Sequence, residues 1–336
     1  MDKKVIYSAV QPTHCLTLGN YIGALNNWLQ YQQEESNDCI FAIADLHALT
    51  VRQEPGAYRE RCLSLFAQYL AMGLDCDKSI LYFQSQVHQH AELQWILNCY
   101  TYVGEMNRMT QFKDKSAKHA DNINMGLMDY PVLMASDILL YNSNYVPVGI
   151  DQMQHIEITR DIAVRFNNIY GNVLTVPEGR LGKVGAKIMS LADPTSKMSK
   201  SDPDVNATIN VLDEEGVIMK KFKKAVTDCD NFIAYDPDRK AGVSNLLSIL
   251  AVCTGKSIEQ TVADCDGLMY GHLKVRTGEA VAAMLKPVRE GYKRLMEDKD
   301  YLYRLAEDGR QRAHDRASVT LGRVKDAVGL IPRMGR

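Results

Sequence analysis

Apolar and polar residues alternate along the first half of the chain in blocks of two different periods. Short, nearly continuous apolar runs at 5–10, 39–44 and 80–83 are typical of parallel strands that are covered on both faces. Other stretches repeat apolar residues every three or four positions, which indicates helices. These predicted helices cover 18–30, 55–72 and 91–103. The β-α-β-α-β order predicts a doubly wound α/β domain with right-handed connections around a parallel sheet.

The pattern changes further along the chain. The polar segment 111–121 predicts a loop, and a helical period returns at 127–140. A short strand is predicted at 145–148 and a helix at 151–166. The chain is then rich in Gly, Pro and Lys as far as Asp204.

Beyond Asp204 the sequence predicts helical segments only. Ser257 and Gln260 form a capping-box pattern, and 273–295 predicts a long helix that bends at Pro287. We therefore expect two domains. The first is a Rossmann-like α/β domain at 1–204 with a helical insertion around 48–124, and the second is a helical domain at 205–336.

Composition narrows the class of protein. Apolar residues make up 46% of the 336 and charged residues 24%, which excludes a mainly disordered or collagen-like chain. The formal net charge of −2 excludes a generally basic nucleic-acid-binding protein, so any such contact must be a local patch. The eight cysteines include no C-x-x-C pair, which argues against zinc and thioredoxin-type sites. With no signal peptide and no membrane-spanning stretch, we expect a cytoplasmic protein with reduced thiols.

The first candidate for chemistry is the segment 11–23 (QPTHCLTLGNYIG), between the first strand and the first helix. In an open α/β sheet ligands bind at the carboxyl ends of the strands, and a helix start offers free N–H groups to phosphate. Gly19 and Gly23 lie four apart, on one helical face, where a flat ring or another backbone can approach closely. The alternative interpretation is that both glycines only pack the helix on the sheet.

The second candidate is 197–201 (KMSKS), in a loop at 194–203 that is bounded by Pro194 and Pro203. Two lysines three apart on a Ser-rich loop do not belong to a core. They are either a solvated surface pair or part of a mobile lid that brings ammonium groups to a polyphosphate.

Together these segments resemble the class I aminoacyl-tRNA synthetases. Residues 17–20 (TLGN) stand where that class carries its HIGH signature, and 197–201 is its second signature in full. Four further matches narrow the resemblance to the tryptophanyl-tRNA synthetase family of the bacterial type, over roughly residues 4–328. They are 45–50 (DLHALT), 109–113 (MTQFK), 130–141 (YPVLMASDILLY) and 148–167 (VGIDQMQHIEITRDIAVRFN).

The sequence departs from that family at three positions near the motifs. His14 stands where the family usually has Gly, and Ile150 and Met153 stand where it usually has Glu and Lys. We expect His14 to alter the loop over the ATP site, and the two lost charges to weaken substrate contacts.

The resemblance implies a two-step reaction. The tryptophan carboxylate attacks the α-phosphate of ATP and pyrophosphate leaves, after which the amino acid passes to the 3′ end of tRNA(Trp). Catalysis falls to Lys115, Lys197 and Lys200, which neutralise charge on the phosphates together with Mg²⁺ carried by ATP. No metal site built from the protein is expected. The implied ATP-binding residues are Gln11, Thr17, Gly19, Asn20, Gly23, Asp151, Ile188, Lys197, Met198, Ser199 and Lys200.

The resemblance also implies a tryptophan pocket. Its residues are Tyr7, Gln11, His47, Gln111, Tyr130, Met134, Asp137, Ile138, Val146, Val148 and Gln152. By spacing alone, Met134 and Ile138 fit an ordinary core better than a binding pocket. Asp137 is the one acid in an apolar stretch, and a buried carboxylate is costly without a partner. It is either bonded for structural reasons or accepts the indole N–H.

The partners that the resemblance implies are tRNA(Trp), L-tryptophan and ATP, with 205–336 as an anticodon-binding domain and a homodimer formed by the α/β domains. His88, His90 and His155 have no spacing that suggests a ligand role. Lys220, Lys221, Lys223 and Lys224 are interpreted first as a solvated helix face and second as a tRNA backbone contact. The alternatives are a tyrosyl-tRNA synthetase, a HIGH-type nucleotidyltransferase and a non-catalytic tRNA-binding relative.

Overall fold

Five parallel strands form one sheet in the order β3-β2-β1-β4-β5. The computed structural model of the chain describes residues 3–109, 123–181, 187–200 and 202–331. The strands are β1 Lys4–Val10, β2 Asn37–Ile43, β3 Ser79–Phe83, β4 Tyr145–Val148 and β5 Glu178–Leu181. In register, Ile6 pairs with Cys39 on one side and with Tyr145 on the other. This order confirms the predicted doubly wound sheet. From β1 the chain adds β2 and β3 on one side, and it then returns to add β4 and β5 on the other side of β1.

Four of the five strands lie where the apolar runs predict them, and β5 is the exception. Its two end residues are exposed and its two central residues are half-buried, and its sequence, EGRL, carries only one large apolar residue. Pairing with β4, from Tyr145 opposite Glu178 to Val148 opposite Leu181, holds this edge strand in place. Tertiary pairing therefore makes a strand for which the apolar pattern gives no signal.

Helices cover both faces of the sheet. They are α1 Leu18–Asn20, α2 Asn26–Gln33, α3 Asp45–Ala48, α4 Pro55–Ala71, α5 Gln89–Asn98, α6 Val103–Met106, α7 Met125–Leu139, α8 Met153–Tyr170, α9 Glu215–Lys224, α10 Ala241–Thr254, α11 Ile258–Ala263, α12 Tyr270–Glu297 and α13 Lys299–Ala327. Two 3-10 turns, Gln84–Gln86 and Ile150–Gln152, follow β3 and β4. None of the helices described is long and apolar enough to cross a membrane. The predicted loop at 111–121 lies outside the described residues.

The first helix differs from its prediction. The periodicity predicts one helix at 18–30, whereas a five-residue π-helical turn, Tyr21–Leu25, separates α1 from α2. Thr17 begins α1 with a capping box: its hydroxyl accepts from Asn20 N at 3.1 Å, and Asn20 Oδ1 accepts from Thr17 N at 3.0 Å. π-turns are frequent at functional sites, and this one carries Gly23.

Alternate strand residues point to opposite faces and fill two cores. One core contains Ile6, Phe41 and Leu81, and the other contains Tyr7 and Tyr82. The first core continues without a break into the helices beyond 204, where it includes residues of α9, α10 and α12. The assignment of 205–336 to a separate domain remains a prediction.

The helices beyond 204 pack directly on the sheet domain. The capping box at Ser257 and Gln260 is present as predicted, and α12 runs through Pro287 as a single helix. Gly309 of α13 lies so close to β3 that an added Cβ would stand 1.8 Å from the carbonyl oxygen of Leu81. This helix therefore meets the strand backbone through a residue that has no side chain.

Candidate active site

A cavity of about 1130 Å³ opens at the carboxyl ends of β1 and β4, where the strand order reverses. That is where a doubly wound sheet binds its ligands. Most of the predicted site residues line it. They are Tyr7, Gln11, Gly19, Asn20, Gly23, His47, Tyr130, Met134, Asp137, Ile138, Val146, Val148, Asp151, Gln152, Ile188, Lys197 and Met198.

The other predicted site residues lie elsewhere. Gln111 and Lys115 are outside the described residues. Thr17 is 1% exposed and its side chain caps α1, so it stabilises the start of the helix and does not line the cavity. The carbonyl of Ser199 accepts a hydrogen bond from Thr208 Oγ1 at 3.0 Å. Lys200 Nζ donates to the carbonyl of Gln11 at 3.2 Å, at the edge of the cavity lining.

The two glycines of the first loop have different surroundings. A Cβ on Gly19 would make ordinary contacts with Ile188 and Met198, both at 3.7 Å, so Gly19 packs against the KMSKS segment and the residues just before it. A Cβ on Gly23 would meet nothing within 4 Å, although Gly23 lines the cavity. The packing interpretation therefore fits Gly19, and the interpretation as room for a ligand fits Gly23.

The KMSKS segment closes one side of the cavity. Met198 is buried, and its N–H donates to the carbonyl of Ile188 at 3.0 Å, which fixes the start of the loop. Lys197 lines the cavity, whereas Lys200 turns toward the loop after β1. Burial lowers the pKa of Lys200 to about 8. The segment thus places Lys197 in the cavity lining and the Lys200 ammonium group against the first loop.

Asp137, on α7, accepts hydrogen bonds from three side chains and is 2% exposed. Its Oδ1 lies 2.7 Å from Gln84 Nε2 and 2.6 Å from His90 Nδ1, and its Oδ2 lies 2.8 Å from His47 Nε2. Burial alone would raise the pKa of this carboxyl group, but hydrogen bonds and charge from His47 and His90 outweigh it and lower the pKa. An ionised carboxylate has about four acceptor directions, so three donors leave one on Oδ2.

The histidine beside Asp137 is held by the turn on which it lies. His47 belongs to α3, which begins with Asp45 directly after β2. Asp45 Oδ1 accepts from Ser85 N at 2.8 Å, which ties this turn to the 3-10 turn after β3. The Tyr130 ring meets His47 edge-on, with centroids 6.4 Å apart, and the Tyr130 hydroxyl contacts His155 Nε2 at 3.1 Å. Two neighbouring strand ends therefore fix the position of the imidazole.

Sequence reasoning missed Gln84 and His90, which are two of the three donors to Asp137. The spacing of His88 and His90 suggests no ligand role, and none is needed for His90 to act as a donor within the protein. The available signal is the four-residue spacing between Asp137 on α7 and Tyr141 just beyond its end. Both contact His90, at 2.6 Å and 3.1 Å.

The three departures from the family pattern fall in different environments. His14 is largely exposed. Its pKa is lowered, first by the partial loss of water around the ring and second by the positive charges of Lys200 and Arg61. Ile150 is 78% exposed on the cavity rim. Met153 instead turns toward β5, where a Cβ on Gly179 would lie 3.1 Å from its sulfur. Only Ile150 among them lines the cavity.

Comparisons with known proteins agree with this geometry. The family model for class I tRNA synthetases (W and Y) matches residues 2–286. The chain is similar to the tryptophanyl-tRNA synthetase of Mycoplasma pneumoniae, with a TM-score of 0.89 and 33% identity over 98% of this chain and 99% of that chain. The tryptophanyl-tRNA synthetase of Campylobacter jejuni, solved with ADP and tryptophan, matches with a TM-score of 0.84 and 33% identity over 97% and 100%. A tyrosyl-tRNA synthetase from Aeropyrum pernix shares the fold alone, with a TM-score of 0.67 and 18% identity over 91% and 89%.

Proposed function

Because the chain belongs to the class I tRNA synthetase family of the tryptophan and tyrosine enzymes, we propose that it is a tryptophan–tRNA ligase. In the first step the tryptophan carboxylate attacks the α-phosphate of ATP, which forms tryptophanyl-adenylate and releases pyrophosphate. In the second step a hydroxyl at the 3′ end of tRNA(Trp) takes the tryptophanyl group, and AMP leaves. Such chemistry depends on positioning and on charge stabilisation rather than on covalent catalysis.

Asp137 is the observation that carries the choice of tryptophan. The indole has one polar group, a donor, so a selective pocket needs one acceptor at the end of an apolar slot. Asp137 is ionised, buried and retains one acceptor direction on Oδ2, and Met134 and Ile138 line the same cavity. Met suits a flat ring because its thioether is flexible and polarisable. The tyrosyl alternative has weaker support, since the tyrosyl relative is similar in fold alone.

ATP would bind along the first loop and the KMSKS segment. Gly23 leaves open space in the cavity, and Gly19 and Asn20 line it at the start of the first helix. Lys197 and Lys200 would neutralise the phosphates, with Lys115 as a third cation. The Campylobacter jejuni relative was solved with ADP and tryptophan, which supports ATP and tryptophan as the substrates.

Magnesium would enter as part of the substrate. Among the described residues no group of three or more His, Cys, Asp or Glu side chains is placed to hold a metal ion. The phosphate oxygens of ATP are the ligands that Mg²⁺ prefers in such sites. The chain's own part is then to orient the triphosphate with lysines, while the ion neutralises charge on its oxygens.

The tRNA would contact the helical part of the chain, 205–336. Of the four clustered lysines, Lys221 is buried and its Nζ lies 2.6 Å from Asp213, so it is structural. Lys220, Lys223 and Lys224 are exposed on α9 and offer positive charge to a phosphate backbone. This supports the second of the two interpretations of the cluster for three of its members.

A homodimer through the α/β domains is supported by apolar residues exposed in and beside the segment 48–124. Trp95 is 72% exposed and Met125 is 74% exposed, and both are large apolar side chains. Leu49, Tyr102, Val103 and Ile123 are exposed in the same region of the sequence. Where such side chains form a contiguous apolar patch, they typically mark an interface.

A cytoplasmic location is supported by the eight cysteines, all of which are free.

The proposal is tested by amino-acid-dependent exchange of labelled pyrophosphate into ATP, measured with each of the twenty amino acids. Tryptophan should support exchange, and tyrosine should support it far more weakly. Lys200→Ala should abolish most of the exchange under the same conditions, which shows that the signal belongs to this protein. Exchange with tyrosine but not tryptophan, or with no amino acid, would contradict the proposed activity.

A further inference from the structure

His90 connects Asp137 to two buried tyrosines. Its side chain is fully buried on α5. Nδ1 lies 2.6 Å from Asp137 Oδ1, and Nε2 lies 2.9 Å from the Tyr82 hydroxyl and 3.1 Å from the Tyr141 hydroxyl. The Tyr82 and His90 rings stack with centroids 5.8 Å apart. Both ring nitrogens of this imidazole therefore have a partner, and the partners come from β3, from α7 and from Tyr141 just after α7.

The partners fix the protonation of the imidazole on the side that faces Asp137. A carboxylate accepts and does not donate, so His90 Nδ1 must carry a proton. Nε2 meets hydroxyls, which donate to a neutral imidazole and accept from a charged one. Burial raises the pKa of both tyrosine hydroxyls, so they remain protonated in either case. The Nδ1 donor toward Asp137 is thus retained whichever form the ring takes.

His90 has no contact with the cavity itself, whereas Asp137 and His47 line it. Without a donor at Nδ1, Oδ1 would keep Gln84 alone, and a carboxylate held by one amide and His47 is free to turn about its Cβ–Cγ bond. We propose that His90 is a positioning residue which fixes the plane and the charge of Asp137, so that the remaining acceptor direction of Oδ2 points at the indole N–H. This inference rests on the proposed function, since it requires tryptophan in the cavity.

Other titratable groups also face Asp137. His47 reaches it from α3, the tyrosines Tyr7 and Tyr141 lie near it from β1 and from the end of α7, and their charge would act on it if they ionised. The three tyrosines of this region have pKa values raised by burial, so His47 and His90 are the groups that act on the carboxylate at neutral pH. His47 touches the cavity directly, which leaves His90 as the residue that acts only through Asp137.

Two nearly isosteric substitutions distinguish the role of His90 Nδ1 from that of His90 Nε2. In His90→Asn the amide group overlays Nδ1 and keeps a donor toward Asp137. In His90→Gln the amide group overlays Nε2, keeps a partner for the tyrosines and removes the donor. The readout is the ratio of kcat/KM for tryptophan to kcat/KM for the benzothiophene analogue, which lacks the N–H, together with the pH profile of kcat/KM and a thermal melt.

We expect His90→Asn to keep the tryptophan-to-benzothiophene ratio within about threefold of the unaltered protein. His90→Gln should lower that ratio by roughly 10- to 100-fold, the effect of one charged hydrogen bond, chiefly through KM for tryptophan. Its acidic limb of kcat/KM should also move to higher pH, because Asp137 loses a donor. An unchanged ratio in His90→Gln, or equal losses for both substrates in both variants, would overturn the inference.

A second variant separates loss of the Nδ1 donor from general disturbance of this buried cluster. The double substitution Tyr82→Phe with Tyr141→Phe removes the hydroxyls that contact Nε2 and leaves the rings and Nδ1 in place. It should keep the same ratio within about threefold, as His90→Asn does, and a loss as large as that in His90→Gln would count against the positioning role. If the unaltered protein shows no tryptophan-dependent exchange, the proposed function and this inference both fail. If the unaltered protein is active and only the ratio is insensitive, the inference alone fails.

Discussion

His47 and Asp137 are 90 positions apart in the chain, yet His47 Nε2 lies 2.8 Å from Asp137 Oδ2. The first residue follows β2 on a short helical turn, and the second lies in the middle of α7. Because both are almost fully buried, the contact lies in a low-dielectric environment where a charged hydrogen bond is strong. The pair therefore presents an ionised acceptor whose direction is set before any substrate arrives.

We predict that Asp137→Ala lowers kcat/KM for tryptophan. The loss should correspond to roughly 2–4 kcal/mol of transition-state stabilisation, the cost of breaking a buried charged hydrogen bond. The benzothiophene analogue should lose much less, because it cannot make that bond. The matched control is Asp129→Ala on the same helix, since Asp129 accepts from Gln94 and Asn98 and does not line the cavity. That control should lower the melting temperature without changing the preference for tryptophan. Equal losses for both substrates in Asp137→Ala would remove Asp137 from recognition.

Lys200→Ala should slow tryptophan activation while leaving tryptophan binding almost unchanged. The ammonium group meets new charge only as pyrophosphate departs, and such contacts act on kcat rather than on ground-state binding. Removal of one such group typically costs about 10²–10³ in kcat. Exposed Lys224 of α9 provides the control, and Lys224→Ala should leave pyrophosphate exchange unaltered. A normal kcat in Lys200→Ala would refute a role in this step.

The pH dependence of ATP use should report the same lysine. Burial lowers the pKa of Lys200 to about 8, and the lysine neutralises phosphate only in its charged form. The charged form dominates below that pKa, so kcat/KM for ATP should be level there and fall as pH rises through it. Lys200→Arg should move this alkaline limb to higher pH, because arginine stays charged up to about pH 12. An unchanged alkaline limb in the Arg variant would show that another group is responsible.

Gly309→Ala should destabilise the protein by about 1–3 kcal/mol or more, because its Cβ would meet the carbonyl oxygen of Leu81 at 1.8 Å and the backbone has to move. Gly322 lies on the same helix and has nothing within 4 Å of an added Cβ. Gly322→Ala should therefore stabilise by roughly 0.5–1 kcal/mol through helix propensity. Denaturant unfolding of both variants measures the difference, and similar stabilities for the two would contradict the close packing of α13 on β3.

Much of the sheet domain follows from the sequence because its periods are strong. The apolar run at 145–148 coincides with β4, and the predicted helix at 55–72 coincides with α4 to within one residue. The helix predicted at 91–103 instead begins at Gln89 and ends at Asn98. Tyr102 and Val103, whose apolar character extends the predicted helix, lie beyond its end and are exposed. The polar edge strand β5 and the π-turn at Tyr21–Leu25 have no apolar period of their own.

The site divides in the same way. Motif residues such as Gly19, Lys197 and Asp137 could be found because the resemblance names their positions. Gln84 and His90, which donate to Asp137, could not be found from the sequence. They lie on different elements, and neither stands in a recognisable spacing. Their roles arise only when the fold brings β3, α5 and α7 together around one buried charge.

Charging of tRNA(Trp) with labelled tryptophan tests the central claim most directly, because it requires both steps on one chain. The protein should form an alkali-labile ester of tryptophan at the 3′ end of tRNA(Trp) when ATP and Mg²⁺ are present, and Lys200→Ala should form it far more slowly. Tyrosine with tRNA(Tyr) should give no charging in the same assay. Efficient tyrosine charging, or adenylate formation without any transfer to tRNA(Trp), would contradict the account.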